Sequence, residues 1–381
     1  MLYGKEIKKQ WLFDNDLVFL NNGSFGASPI QVLEAYRRYN EMLERQPVEF
    51  FVDFYPGKIR ETAAKLAELI NCDAEGIVFV DNATTGVNTI MNYLSTTLKQ
   101  GDEILCTNHD YPGVRNTLRY YCQRFGFQLK EVEIPLPISS SYEVTKQIKE
   151  QLSTHTKAII IDHITSSTAL IFPVDEIVRI CRERGILTAI DGAHATGMID
   201  LNISQINPDF YTGNCHKWLF APKSCALLWV APQYRQNFHP LVISLDYEQG
   251  YTKEFDWVGT KNPSPYLAIN ESIDFFYSLG GIELQKRNHS LVLEARTLIA
   301  EKHNLEIPCP DEMLGSMASL PLPNNHEVSR EEIMRLRNYF LTNHKIEMPF
   351  FPFSGKLWFR ISVQAYNDMD DYRLLTSSLR F

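Results

Sequence analysis

The sequence predicts an α/β protein: a mostly parallel, doubly wound central sheet followed by a smaller C-terminal α+β domain. Two observations carry that expectation. Between residues 76 and 230, short apolar runs of strand length alternate with longer segments of helical spacing, the pattern of βαβ units. Several of those runs are apolar throughout, as strands covered on both faces must be, and they end in polar residues at the edge where open sheets bind ligands. The 381 residues, 44% of them hydrophobic, suffice for a substantial core divided into a segment 1–19 packing on the small domain, a large domain 20–264 and a small domain 265–381.

Residues 1–19 are mixed and charged and read as a short amphipathic helix. The stretch 19–29, FLNNGSFGASP, ends an apolar run in a glycine-punctuated loop, after which Pro29 opens a helix in its first turn. Helical spacing continues over 30–71 with interruptions at Pro47, Pro56 and Gly57. Residues 76–80 then read as a strand, 81–86 (DNATTG) as a tight turn and 87–91 as the start of a helix. A strand, a turn of small residues and a helix start present free backbone N–H groups, so this is the best phosphate cradle in the chain. Neither GxGxxG nor GxxxxGK[ST] occurs, which disfavours dinucleotide and nucleoside triphosphate sites. Further strands are expected at 102–106, 127–134, 157–164, 186–190 and 225–230, with helices at 142–153 and 173–185. A helix over 265–279, the break Gly280-Gly281 and a helical run to His303 lead into the small domain. There Ser329 to Glu332 cap a helix over 329–343.

The chemistry concentrates in residues 186–218. The apolar run 186–190 delivers Asp191 at the carboxyl end of a buried strand. In FYTGNCHKW, residues 210–218, a lone Lys217 stands among aromatic and small polar residues, where desolvation lowers an amine's pKa and favours the neutral form that a Schiff base needs. Taken singly, an Asp after a strand is a cap and a Lys beside a Trp is a snorkelling surface residue. With His194 and His216 they form a set: a carboxylate for a pyridinium nitrogen and a lysine for an aldehyde, the protein's share of pyridoxal phosphate chemistry. Near the end, Arg360 interrupts an apolar strand; it is costly there unless paired, and its planar fork matches a carboxylate.

DGAHATG at 191–197 followed by DFYTGNCHKW at 209–218 resembles the class V branch of fold-type I pyridoxal-phosphate enzymes, and within it the isopenicillin N epimerase-like group. Motifs from residue 20 to residue 367 carry the resemblance. It implies pyridoxal 5'-phosphate on Lys217, its ring nitrogen on Asp191 and its phosphate on Ala83, Thr84, Thr212 and His216. Gly259 and Thr260 would reach the neighbouring subunit's cofactor, which implies a homodimer with shared sites. Tyr111 becomes the residue stacked on the ring, with His109 as the alternative. Ser166 falls near the phenolic oxygen, where many relatives carry Asn, and His194 and His216 flank the cofactor. Asn22 and Gly23 become substrate contacts, and Arg360, in RISVQAYN, the anchor of an amino acid's α-carboxylate. Lys217, once freed, takes the α-proton. The reaction implied is epimerisation or carbon–sulfur cleavage, with a class V aminotransferase or cysteine desulfurase as alternatives. The desulfurase ranks lower because no cysteine lies between residues 310 and 360, where that group carries its nucleophile. A pyridoxal-fold regulator or scaffold is the non-enzymatic alternative, opposed by the joint presence of Asp191, Lys217 and Arg360.

A formal net charge of −9 argues against nucleic acid or an anionic membrane surface as partner. Seven scattered cysteines without a CxxC suggest reduced thiols, with neither a disulfide framework nor a metal site. The start lacks an apolar core of signal-peptide length, and no stretch approaches an uncharged span of roughly 18 residues. A soluble, cytoplasmic protein is expected.

Overall fold

The apolar runs ending at Asp191 and leading to Lys217 form adjacent strands of a seven-stranded sheet in the computed structural model, which describes residues 3–323 and 326–380. In chain order the strands are β1 (Val18–Phe19), β2 (Ile77–Val80), β3 (Glu103–Thr107), β4 (Gln128–Val132), β5 (Thr156–Asp162), β6 (Leu187–Asp191), β7 (Phe210–Asn214), β8 (Ala226–Val230), β9 (Met317–Pro321), β10 (Ile346–Glu347), β11 (Phe350–Phe353) and β12 (Lys356–Ser362). The large sheet runs β2-β8-β7-β6-β5-β3-β4. From β7 to β4 all neighbours are parallel, whereas β8 is antiparallel to both β7 and β2. The connection explains the reversal: β7 and β8 are joined by a hairpin-like link occupied by the short helix Cys215–Trp218, too short for the crossover that a parallel pairing needs. Lys217 therefore sits in the tip of a hairpin at the carboxyl edge of the sheet.

Successive residues of the central strands bury themselves in two separate apolar layers, Ile159 and Ile161 on one face with Ala158 and Ile160 on the other. This is why these runs show no polar alternation. Register puts Asp162 of β5 level with Asp191 of β6, and Asp191 level with Thr212 of β7.

The helix after β2 begins earlier than its spacing suggests, at Ala83, because Asn82 caps it by accepting the Thr85 N–H at 2.9 Å. The loop at 19–29 contains a one-turn helix, Asn22–Phe25, and Pro29 stands at the N-cap of Ile30–Arg45. The helix expected over 265–279 is two, Ser264–Leu267 and Ile269–Ser278. In the C-terminal part, an antiparallel sheet of order β11-β12-β9 packs with the helices Ile282–His303, Arg330–His344 and Met369–Ser378. The N-terminal segment is tied to this part of the chain. Gly4 donates to the Ala365 carbonyl at 2.8 Å, Lys5 pairs with Asp370 at 2.8 Å, and β1 lies parallel to β10.

Candidate active site

The carboxyl ends of β5, β6 and β7 and the start of the helix Ala83–Thr97 surround a cavity of about 710 Å³. A neighbouring cleft of about 730 Å³ shares Asp81 and Ser224 with it but contains none of the carboxylate and lysine set. Asp191 is buried and its Oδ1 accepts the Ala193 N–H at 2.9 Å. Gly192 must be glycine: a Cβ there would stand 2.2 Å from the Tyr211 hydroxyl oxygen. Lys217 is equally buried, and its Nζ lies 3.1 Å from Nε2 of His194. Burial first, then the charge of Arg360, push the Lys217 amine down to about 8, while Asp191 and Asp162 oppose that shift.

The backbone of Lys217 is clamped from the far end of the chain. Asn22 donates from Nδ2 to the Lys217 carbonyl at 3.3 Å, and its own Oδ1 accepts the Tyr366 hydroxyl at 2.9 Å. Gly26 presses directly on the hairpin, since a Cβ on it would lie 2.0 Å from the His216 carbonyl oxygen.

On the opposite wall Asn82, Ala83, Thr84, Thr85 and Asn88 form the helix start, an electropositive end that suits an anion. Ala83 donates to Oδ1 of Asn214 at 2.9 Å. His216 places Nδ1 3.1 Å from the Cys225 carbonyl, which can only accept, so Nδ1 carries the proton and Nε2 keeps a lone pair. Burial, with the Lys217 charge second, lowers the His216 pKa to about 4.

Three carboxyl groups cluster beneath the cavity. Asp110 is well supplied with donors, the Thr107 N–H at 2.9 Å and the Thr107 hydroxyl at 2.7 Å, yet burial raises it to about 7. Asp162 accepts the Ser166 N–H at 3.3 Å through Oδ2, while its buried Oδ1 has no hydrogen-bond partner among the described residues. Burial, then Asp110 and Asp191, drive its pKa well above the carboxylate range, since like charges so close cannot all ionise.

Of the residues singled out in the sequence, Gly23, Ala83, Thr84, Tyr111, Ser166, Asp191, His194, His216 and Lys217 line this cavity. Five do not. Thr212 donates its hydroxyl to the Leu227 carbonyl at 2.9 Å across the β7–β8 pair and packs against Gly86, so it faces the helix and not the cavity. Asn22 is spent on the Lys217 clamp. Arg360 is buried behind Gly23 and Ser24: Nη1 donates to the Ser166 carbonyl, Nη2 reaches Ser24 Oγ at 3.4 Å and Asn21 Oδ1 at 3.5 Å, and Nε has no partner among the described residues. Gly259 and Thr260 lie outside the lining, and nothing stands within 4 Å of a Cβ built on Gly259. His109 turns away, bonding Thr168 Oγ1 at 2.6 Å and the Ile134 carbonyl at 2.8 Å, which leaves Tyr111, 45% exposed, as the aromatic at the rim.

Three site residues escaped the sequence reading. Asp162 closes KAIIID much as Asp191 closes ILTAID, so the same signal was present. Asn214 carries no local mark. Trp218 donates from Nε1 to Nδ1 of His194 at 3.3 Å, a contact no sequence pattern announces.

An open helix start, a buried carboxyl pair with an orphaned oxygen and a desolvated lysine in a cavity of ligand size fit the phosphate, ring nitrogen and aldehyde of pyridoxal 5'-phosphate. The family model described as aminotransferase class-V matches residues 19–374. The chain belongs to the aminotransferase class-V family. As a member it is a pyridoxal 5'-phosphate enzyme. A probable chloroplastic L-cysteine desulfhydrase of Arabidopsis thaliana is 31% identical, over 96% of this chain and 83% of that protein. Isopenicillin N epimerase of Streptomyces clavuligerus is also 31% identical, over 84% of each. Among solved structures, a C-DES mutant with glycine covalently linked to its PLP cofactor superposes with a TM-score of 0.83 at 18% identity, over 97% of this chain and 98% of that one. Its likeness shows the fold-type I architecture that this class-V chain shares.

Proposed function

We propose that this class-V enzyme removes the α-proton of a sulfur-bearing amino acid or derivative and breaks the carbon–sulfur bond at its β-carbon. The observation that carries this reading is the buried Lys217 amine, pushed toward its neutral form, in one cavity with Asp191 and the helix start at Ala83. When bound, pyridoxal 5'-phosphate supplies the electron sink that makes the α-proton acidic. Lys217 holds the aldehyde and, once freed, accepts that proton as general base. Asp191 keeps the ring nitrogen protonated. Thr84 at the helix start would donate to the phosphate, flanked by Ala83, whose N–H is given to Asn214, and by His216, whose Nδ1–H is given to Cys225; Tyr111 would cover the ring and Ser166 lie beside it. Arg360 anchors the substrate carboxylate: its two Nη2 contacts are long, at 3.4 and 3.5 Å, and its Nε is uncommitted among the described residues, so the fork has donors in reserve.

Cleavage without a cysteine persulfide is supported by the absence of any cysteine from the cavity lining; Cys309 lies elsewhere, buried, its thiol raised by burial to about 11. The desulfhydrase relative supports cleavage, and the epimerase relative supports a second reading, inversion at the same carbon. A homodimer is supported by exposed Leu241, Val242, Ile243 and Leu245 after β8, of which Leu241 also borders the cavity; in the family resemblance it is a second copy's Gly259 and Thr260 that reach the phosphate. Seven unpaired cysteines support a cytoplasmic location. Among the described residues no helix is long and apolar enough to cross a membrane.

Incubation in heavy water with a panel of amino acids and their S-substituted derivatives tests the reading. Pyruvate and ammonia with release of the sulfur group mean a lyase, and deuterium at an inverted α-carbon means an epimerase. Alanine with a persulfide on Cys309, or no α-exchange on any substrate, would overturn it.

A further inference from the structure

The contacts of His194 define its protonation more closely than its place beside the lysine does. An indole N–H can only donate, so the Trp218 Nε1 contact at 3.3 Å requires a lone pair on Nδ1 of His194. A neutral imidazole has one proton, which must then sit on Nε2. That atom is 3.1 Å from Lys217 Nζ, so Nε2–H points at the amine and meets its lone pair. Burial of His194, above all, keeps the ring from taking a second proton.

Neither partner is free to drift. Trp218 is 1% exposed, and the segment after His194 folds back onto it: Gly197, at φ +87°, lies so close that a Cβ would come within 2.7 Å of the Trp218 carbonyl carbon. The turn that carries His194 and the hairpin that carries Trp218 are thus locked together by backbone as well as by the N–H.

We propose that Trp218 is a positioning residue that fixes the Nε2–H tautomer of His194 and so makes this histidine a hydrogen-bond donor, not a base, toward the reacting atoms held at Lys217. The assignment rests on the proposed reading for its catalytic consequence, but not for its geometry. Because the Nδ1 lone pair is engaged and Nε2 carries hydrogen, His194 has no place for the α-proton, and Lys217 is left as the acceptor. The donor on Nε2 is available to whatever nitrogen or oxygen lone pair occupies the place of the Lys217 amine during turnover.

The test is nitrogen–proton correlation spectroscopy on the histidine-labelled enzyme, with and without cofactor, the His194 signals being those lost in His194→Gln. Wild type is expected to show protonated Nε2 and bare Nδ1. Trp218→Phe, which keeps a buried ring but lacks the N–H, should show an appreciable Nδ1–H population, and its kcat for α-proton exchange should fall about ten-fold with KM little changed. A wild-type enzyme with Nδ1–H, or an unchanged tautomer in Trp218→Phe, overturns the assignment. Should Trp218→Phe fail to fold, the wild-type tautomer decides, together with a comparison of two His194 variants. His194→Gln still offers an amide donor and should retain at least about ten-fold more activity than His194→Leu; equal losses would refute the donor role. If the tautomer is as assigned and no amino acid exchanges its α-proton, the proposed function fails and the Trp218 assignment stands.

Discussion

Gly26→Ala should weaken the whole enzyme although the residue touches no substrate. Gly26 adopts φ +68° and ψ 173°, a region open essentially to glycine alone, and forcing alanine there costs about 1–3 kcal/mol. The new Cβ would also stand 2.0 Å from the His216 carbonyl oxygen and 2.7 Å from Lys217 Cα. Both are backbone atoms of a buried hairpin, so relief requires a shift of about 1 Å in one segment or the other, an overpacking cost of about 1–3 kcal/mol. The sum, about 2–6 kcal/mol, corresponds to a fall in melting temperature of roughly 4–12 °C at about 2 °C per kcal/mol for a chain of this length. Gly57→Ala is the internal control: it lies in the helix Tyr55–Leu69, nothing stands within 4 Å of its Cβ, and alanine should stabilise by about 0.5–1 kcal/mol. Scanning calorimetry of the two variants beside wild type, at one scan rate, gives the comparison. A Gly26→Ala enzyme melting within about 1 °C of wild type would show that the seat of Lys217 is softer than these distances require.

Competitive labelling of the cofactor-free protein with an amine-directed reagent should find Lys217 half reactive near its lowered pKa of about 8, far below the ordinary lysine value of 10.5. Because the lowered pKa makes the unfolded chain hold more protons between those two values, wild-type stability should rise with pH across that window. Lys217→Met should accordingly stabilise the cofactor-free protein most at and below about pH 8, its advantage shrinking toward pH 10.5. For Asp191→Asn, the expected result is retained cofactor with α-proton exchange reduced about 100-fold or more, roughly 3 kcal/mol; wild-type exchange rates would remove Asp191 from its role. Arg360→Lys keeps the charge but loses the fork, so steady-state kinetics should show KM for amino acids up about ten-fold or more with the visible spectrum of the resting enzyme intact.

What could be read from the chain was whatever is written locally. Asp191 and Lys217 each close or interrupt an apolar run, and a strand end fixes a side chain at the sheet edge whatever surrounds it. Thr212 failed for want of the partner strand: it lies level with Asp191, but its hydroxyl is taken by Leu227 of β8, a bond that exists only because β8 runs antiparallel. Tyr111 and His109 sit two residues apart in one loop, and only the distant partners Thr168 and Ile134 decide between them. Asn22 stands in a glycine-punctuated loop that marks it locally, but its bonds reach Lys217, Ser362 and Tyr366, across separations no local pattern encodes. The early start of the helix at Ala83 came down to a single side chain, the Asn82 cap, overriding the spacing of apolar residues after it.

The Asn22 clamp also sets a time order for making the enzyme. Its two fixed points, Lys217 and Tyr366, leave the ribosome about 150 residues apart, an interval of roughly 7–30 s at common elongation rates. Through that interval the amine exists without the burial that lowers its pKa, in a nascent chain open to aldehydes of every kind. Stable capture of the right one is therefore an event of the finished polypeptide, and a ribosome stalled between these two codons would display an ordinary lysine, with neither its lowered pKa nor its selectivity.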